Sequence, residues 1–492
     1  MPLVPLNVPA GVYRNGTDLQ SSGRWRDANL IRWHQDAMRP IGGWRQREAV
    51  SVSGVARGSL AWRANNGDRY LALGTHSSLQ VMDEGGNVTD ITPAAFTGGR
   101  VNSSANLGFG GGLYGTEYYG LPRTDSLLLL DATTWAMDNW GEYLVACSTD
   151  DGQILEWQLD PASKAAPVAN APTANSSILV TEERFLFALG ASGNPRKVAW
   201  SDRENNTVWT PAPTNEAGDI ELQTNGRILA GLRTRGQSLL ITSQDAHTAS
   251  YVGPPFVYGF ERVGTSCGMI ANKAAASVDA GVFWMGERSF YQYSGGAVSE
   301  VQCDVGDYVF SDLNTSQKTL IHAVKNGAWG EIWWFYPSGA SNEIDRYVAY
   351  NYITGVWMIG EMERTTGVDG GTFRFPLRTD SSGVLYEHEV GYDHGGAMPF
   401  AETGPISIGS GDQVAAITKL IPDENTQGEV TATFKTRFHP NDVEREYGPY
   451  LMANPTSVRF TGRQVRMRVT ADVLDDWRVG IMRLDIKPRG LR

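Results

Sequence analysis

The chain has 492 residues, with 42 Lys and Arg against 54 Asp and Glu, and 41% of it is hydrophobic. That length holds about two to four folded units; the apolar share excludes a wholly disordered or collagen-like chain, and a net charge of −12 excludes a clamp that grips nucleic acid with its whole surface. The charge is unevenly placed: residues 1–50 carry +3, residues 431–492 carry +5, and the stretch between them carries −20. Opposite signs on one chain suit head-to-tail docking.

The opening, Met1-Pro2-Leu3-Val4-Pro5-Leu6, lacks the basic and long apolar regions of a secretory signal, and no run of about 18 apolar residues follows anywhere. The three cysteines, Cys147, Cys267 and Cys303, are odd in number and lack C-x-x-C spacing. They predict neither a disulfide framework nor a zinc site, and place the chain in a reducing compartment without a membrane span. No metal ligands, catalytic residues or cofactor are expected. Within residues 1–50, Arg24-Trp25-Arg26, Arg32-Trp33, Arg39 and Trp44 combine the two residue types most favoured at interface hot spots. They form a candidate interface. Nucleic acid would use the same residues, and the blander reading is Arg covering Trp of the same domain.

From residue 51 to 400 the pattern is turn-rich β. Apolar runs begin at Tyr70, Tyr143, Phe185, Leu239, Val282 and Ile332, each followed by a second strand at Leu79, Ile154, Lys197, Ala249, Phe290 and Tyr347. A seventh run starts at Leu385. Most repeats are near the 40–50 residues of a four-stranded propeller blade, and consecutive apolar positions suit strands covered on both faces. Asp151-Gly152 and Asn326-Gly327 read as hairpin turns. The prediction is an all-β chain with a β-propeller of about six blades. The first interval is too long, and a glycine-rich, aromatic-bearing insertion at 107–121 accounts for it.

Two motifs in this region have bland readings. Gly264-Thr265-Ser266-Cys267-Gly268 matches the G-x-S-x-G elbow, yet no strand–helix pattern surrounds it, so a β-turn is expected. Trp200-Ser201-Asp202 with Trp209 reads as a turn capped by Asp202. The strongest metal or acid–base candidate is Glu387-His388-Glu389 with Asp393 and His394. On a strand His388 faces away from both glutamates, which favours a structural or intersubunit hydrogen-bonding role. The 15 Trp, 19 Tyr and 16 Phe allow a carbohydrate-stacking surface, although core packing accounts for most of them.

After about residue 400 the texture changes to long alternating strands. In Gln464-Val465-Arg466-Met467-Arg468-Val469-Thr470 apolar and basic residues exchange faces at every step, and Met482, Leu484 and Ile486 alternate with Arg483, Asp485 and Lys487. A β-sandwich-like platform over 401–492 is predicted, joined by residues 1–50. Arg466 and Arg468 extend the candidate interface.

Four stretches resemble the tail nozzle, or tail hub, proteins of short-tailed bacteriophages, including the packaged-DNA stabilisation proteins. They are Arg26-Asp27-Ala28-Asn29-Leu30-Ile31-Arg32-Trp33 with Arg39-Pro40-Ile41-Gly42-Gly43-Trp44; Tyr251 through Cys267-Gly268 to Phe290-Tyr291-Gln292-Tyr293; Asp345-Arg346-Tyr347-Val348-Ala349-Tyr350; and the ending from Gly462 to Leu484. The resemblance implies a propeller plus a platform built from the chain ends, assembled as a homo-hexamer below the portal and its adaptor. It implies a virion tail protein, assembled in the host cytoplasm, that carries fibres, spikes or a needle and lets phage DNA pass without sequence-specific binding. The insertion departs from that family; Phe109, Gly110, Gly111, Gly112, Tyr114, Tyr118 and Tyr119 are read as a gate or fibre contact. The expected role is structural and not enzymatic. Rival expectations are a propeller glycosidase or depolymerase, or a receptor-binding propeller at the tail tip.

Overall fold

Short apolar runs separated by glycine-bearing turns fold here as antiparallel sheets of four strands. A computed structural model describes residues 3–105, 129–407, 414–426, 428–440, 442–471 and 473–489. Seven four-stranded sheets, numbered here as blades 1 to 7, follow one another along its central part. Their innermost strands are Ala56–Arg63, Trp135–Trp140, Ser177–Val180, Ile228–Thr234, Ala275–Val278, His322–Asn326 and Thr366–Val368. Each innermost strand packs beside the next, and the seventh packs beside the first, so the ring closes. This is a seven-bladed β-propeller, within one blade of the number read from the sequence.

The apolar runs at Tyr70, Tyr143, Phe185, Leu239, Val282 and Ile332 belong to the second strands of blades 1 to 6, and the run at Leu385 belongs to the third strand of blade 7. Second strands stand out because they are covered by sheets on both faces: Leu186–Leu189 and Glu331–Tyr336 are buried at every residue. Innermost strands border the axis and mix exposed with buried positions, as Ala56–Arg63 does. Trp135 illustrates the fit between blades. Its indole is fully buried and donates to the Thr75 carbonyl at 2.7 Å, and it lies so close to Gly74 that a Cβ there would stand 2.3 Å from Trp135 Cγ. Gly152 takes φ +66° in the Asp151-Gly152 turn; at Asn326-Gly327 the left-handed residue is instead Gly330, after a single 3₁₀ turn.

Blade 7 is made from both ends of the ring. Its outer strand is Trp44–Ser51, which precedes blade 1 in sequence and pairs with Val384–His388, setting Gln46 opposite Tyr386. Residues 1–50, expected as a whole in the platform, therefore divide. Leu3–Leu6 and Trp25–Asn29 join the platform, Ile31–His34 and Ala37–Pro40 form a hairpin between the two parts, and Trp44–Ser51 closes the propeller. The third strand of blade 7 lacked a partner after it in sequence, so Trp44–Ser51 fills the open edge.

The platform is a sandwich of two sheets. One runs Leu3–Leu6, Met482–Pro488, Ala415–Ile421, Thr456–Gly462; the other runs Trp25–Asn29, Phe400–Thr403, Gln464–Thr470, Thr431–Arg437, Arg445–Leu451, with Ile406–Ser407 beside Gln464–Thr470. The two-residue alternation read at 464–470 holds: Val465, Met467 and Val469 are buried, while Arg466 and Arg468 face outward. Ile417, Phe434, Phe460 and Leu484 complete the core between the sheets. The platform sits on the rim of the ring. Strand Trp25–Asn29 lies beside Val356–Glu361, the outer strand of blade 6, and Val12 N–H donates to the Trp357 carbonyl at 2.9 Å.

Candidate functional site

The joint between platform and propeller gathers most of the residues singled out in the sequence. Arg32 leaves the hairpin and enters the propeller, where it is 1% exposed. Its guanidinium makes two forked pairs. Nε and Nη2 donate to Glu331 at 3.0 and 2.9 Å, and Nη1 and Nη2 donate to Glu389 at 2.9 and 2.7 Å. Glu331 opens the second strand of blade 6, and Glu389 follows the third strand of blade 7 in a left-handed conformation, φ +60°. Asn326 Nδ2 and the Gly42 N–H also donate to Glu389, Trp333 Nε1 donates to Glu331, and the Trp329 ring lies 4.2 Å from the Arg32 carbon. Burial opposes ionisation of Glu389, but Arg32 outweighs it and holds the pKa below the ordinary glutamate value. At Glu331 burial prevails and pushes the pKa up in spite of Arg32. The arrangement gives each carboxylate several donors, as a buried charge requires.

Around this centre the other candidates have partners within the same chain. Trp25 and Trp33 are buried. Arg24 meets Asp304, Arg26 meets Asp18, and Arg39 meets Asp476 and the Tyr392 hydroxyl. Trp44 packs between His388, His394 and Arg364. Arg466 reaches Asp18, Glu444 and Glu402, and Arg468 pairs with Glu402 over the Phe400 ring. The Glu387–His394 candidates do not converge. Glu387 turns to Arg45 and Arg47, His388 accepts from Arg364 Nε at 2.9 Å, and His394 Nε2 lies 3.0 Å from the Ile41 carbonyl. Burial holds His388 neutral, its pKa well below the ordinary value. Among the described residues no group of three or more His, Cys, Asp or Glu is placed to hold a metal ion.

The second place of interest is the axis of the ring. Where the innermost strands begin, a cavity of about 340 Å³ is bordered by Arg100, Asp131, Thr134, Arg227, Asn272 and Thr319. Charges around it are paired across blades: Arg100 with Asp150, Arg227 with Asp131, Arg233 with Asp138, Arg57 with Glu343. Asn272, leading into blade 5, donates to the Thr134 hydroxyl leading into blade 2 at 2.7 Å. Blades 2 and 5 stand as far apart as a seven-membered ring allows, so this bond bridges the axis. Ser103 is held by Gln317 and Thr319 at the start of blade 6, which fixes the base of the strand pair Ser104–Ala105 and Leu129–Leu130. The gate or fibre-contact residues from Phe109 to Tyr119 lie outside the described residues. Lys273, next to Asn272, has no salt bridge among the described residues; burial pushes its pKa down to about 8, opposed by Asp138.

Sequence reasoning missed Glu331, Lys273 and the Arg57–Glu343 pair. Glu331 carried a usable signal, a lone charge opening the apolar run Glu-Ile-Trp-Trp-Phe-Tyr. Ser266 takes a left-handed turn at the end of strand Val257–Thr265, and Cys267 beside it is buried. The turn at Asp202 is closed by the backbone, Asn205 N–H donating to the Asp202 carbonyl at 3.2 Å, while the Asp202 carboxylate accepts from the distant Glu216 N–H at 2.8 Å instead of capping the turn. No helix among the described residues is long and apolar enough to cross a membrane.

The fold and joint define a seven-bladed propeller with a rim-mounted sandwich assembled from both chain ends. No family model and no curated protein matches the chain. Solved structures that align with it include virginiamycin B lyase from Staphylococcus aureus, 8% identical over 70% of this chain and 98% of that one, TM-score 0.43. A streptogramin B lyase aligns over 70% and 97% at 8% identity and TM-score 0.40. PorZ of the type-IX secretion system of Porphyromonas gingivalis aligns over 77% of this chain and 45% of its own at 8% identity and TM-score 0.39. The expectation of a chain without enzymatic activity is corrected by these alignments, since the architecture is similar to that of an enzyme. At 8% identity the likeness names no activity for this chain.

Proposed function

We propose that the chain is a tail hub, or nozzle, subunit of a short-tailed bacteriophage. Copies form a ring, a hexamer as the resemblance implies, below the portal and its adaptor, carry fibres or spikes, and surround the path of the DNA. The observation that carries this reading is the rim-mounted platform. It presents basic side chains such as Arg459 and Lys487, which have no ion-pair partner among the described residues, on a chain whose stretch 51–430 has a net charge of −20, and this suits head-to-tail contacts between copies. A negative body also repels the phosphate backbone, so a genome passes without adhering. The axis of one propeller is bridged by Asn272 and Thr134 and is far narrower than a duplex whose major groove alone is about 12 Å wide. The channel in this reading is therefore the space enclosed by the copies.

The test is imaging of tails that contain the protein. A ring of copies between adaptor and fibres is the expected result. A purified monomer that depolymerises a surface polysaccharide, with no density for it in the tail, would reject the proposal.

A further inference from the structure

The face of the ring where the innermost strands begin carries a second, larger cavity of about 680 Å³, spread over blades 3, 4 and 5. In an antiparallel sheet of four the second and fourth strands run back to the face where the first begins, so the turns between second and third strands and the crossings between blades gather there. Arg196, Gln244 and Arg288 come from the second-to-third turns of blades 3, 4 and 5. Gln223 and Asn225 come from the crossing between blades 3 and 4, and Ser266 from the crossing between blades 4 and 5. Arg262 belongs to Val257–Thr265, the outer strand of blade 4. Ser266, the serine of the G-x-S-x-G match, has no histidine bonded to it among the described residues, and it serves here as a lining hydroxyl.

The charges lining the cavity do not cancel. Asp245 is buried and accepts from the Thr224 and Thr242 hydroxyls at 2.8 and 2.6 Å. Glu287 pairs with Lys318 at 2.9 Å, and Arg196 pairs with Glu221. Glu300, opposite Tyr291 on the next strand, does not line the cavity. Arg262 and Arg288 remain. Both are exposed, and neither guanidinium has an ion pair, a hydrogen bond or a ring contact among the described residues. Each offers a planar fork of donors that matches an oxyanion. A bare ion would leave most of the volume to solvent, and the rest of the lining suits a hydroxylated body. The amides of Gln223, Asn225 and Gln244 each bring donors and an acceptor, and neither they nor the Ser266 hydroxyl make a hydrogen bond among the described residues. Tyr291 adds a ring stacked on the buried Trp284 with centroids 5.8 Å apart, and its hydroxyl donates to the Ser266 carbonyl at 3.1 Å. Cavities of about 300–1,000 Å³ with a few convergent polar groups are the usual setting for small-molecule binding.

We infer that this cavity binds a small hydroxylated oxyanion, a sugar acid or a sugar phosphate. Arg262 and Arg288 hold the charged group, and the amides, Ser266 and Tyr291 hold the hydroxylated ring. The site lies within a single copy and is independent of the hub reading. The full-length protein is titrated calorimetrically with galacturonate, glucose 6-phosphate, galactose and inorganic phosphate. One of the two charged sugars binds at least about 10-fold more tightly than galactose and than inorganic phosphate, and which of them it is tells carboxylate from phosphate. Arg262→Gln and Arg288→Gln each weaken that binding by at least about 10-fold. Arg235→Gln removes the same charge from the turn between the first and second strands of blade 4, on the opposite face, and leaves the binding unchanged. All three side chains are exposed, so the variants fold, which tryptophan fluorescence checks. Failure of both charged sugars to bind, equal binding of galactose or of inorganic phosphate, binding that survives either change at Arg262 or Arg288, or an equal loss in Arg235→Gln overturns the proposal.

Discussion

Replacing Arg32 with methionine removes the cation from between Glu331 and Glu389 while keeping most of the side-chain volume. Both carboxylates are then buried and face each other, with Asn326, Trp333 and Gly42 as the remaining hydrogen-bond donors among the described residues. Breaking a buried ion pair by deleting one member costs about 3–5 kcal/mol, because the remaining charge is left uncompensated. Two carboxylates lose their partner here, but protonation of one of them caps the cost. About 4 kcal/mol is therefore expected at pH 7–8 from urea unfolding followed by tryptophan fluorescence. The pH dependence has a definite sign. In the variant both folded-state pKa values lie above their unfolded values, so protonation favours the fold and the deficit shrinks as pH falls toward 4.5. In the unaltered chain Glu389 is depressed instead, so its contribution is present above the unfolded glutamate pKa and fades as pH drops through the folded one. Combining Arg32→Met with Glu331→Leu and Glu389→Met restores most of the loss. A single-variant cost below about 1 kcal/mol, or a deficit that grows with acid, would refute the assignment of this cluster as the lock of the joint.

Other outcomes follow from particular contacts. Gly74→Val drives its side chain into Trp135 and destabilises by about 3 kcal/mol or more, read as a lowered urea midpoint; Gly67→Val, at a turn where nothing lies within 4 Å of an added Cβ, costs only backbone strain. Lys273→Met removes an amine whose pKa burial lowers to about 8, so that its charged form costs the fold stability at pH 7. The variant gains up to about 3 kcal/mol at pH 7, and the gain disappears above the unfolded lysine pKa near pH 10.5. Burial pushes the thiols of Cys147, Cys267 and Cys303 up to about 12, 11 and 12, so a disulfide reagent at pH 8 labels them in urea and not in the native protein.

The propeller was legible because its most hydrophobic strands repeat at blade spacing, yet the same signal misplaced the unit. Runs such as Leu186-Phe187-Ala188-Leu189 lie second in their sheets, since a strand covered on both faces is uniformly apolar. The innermost strands hold Arg57, Asp138 and Arg233, which meet partners from other blades and look like loop residues when read locally. At the joint, the Arg and Trp residues of 24–44, read as a candidate interface, take partners within the same chain. That their partners would be Glu331, Glu389, Asp304 and Asp476, hundreds of residues away, is decided by ring closure and leaves no local trace. Glu389 shows the limit most clearly, because it lies past the end of the strand in a left-handed conformation that alternation does not foresee, and only the tertiary fold brings Arg32 to it.

The strand Trp44–Ser51 has a consequence for how the molecule comes into being. It is made before every strand of blades 1 to 6, yet its neighbour, Val384–His388, is made more than 300 residues later. Until then the open arc of blades exposes an unpaired edge at each end, and both are hazards for misassembly. The clasp makes folding of the ring a late, all-at-once event with high sequence separation, and so a slow one. A nascent chain of this kind has reason to be held by a chaperone until its last blade is complete.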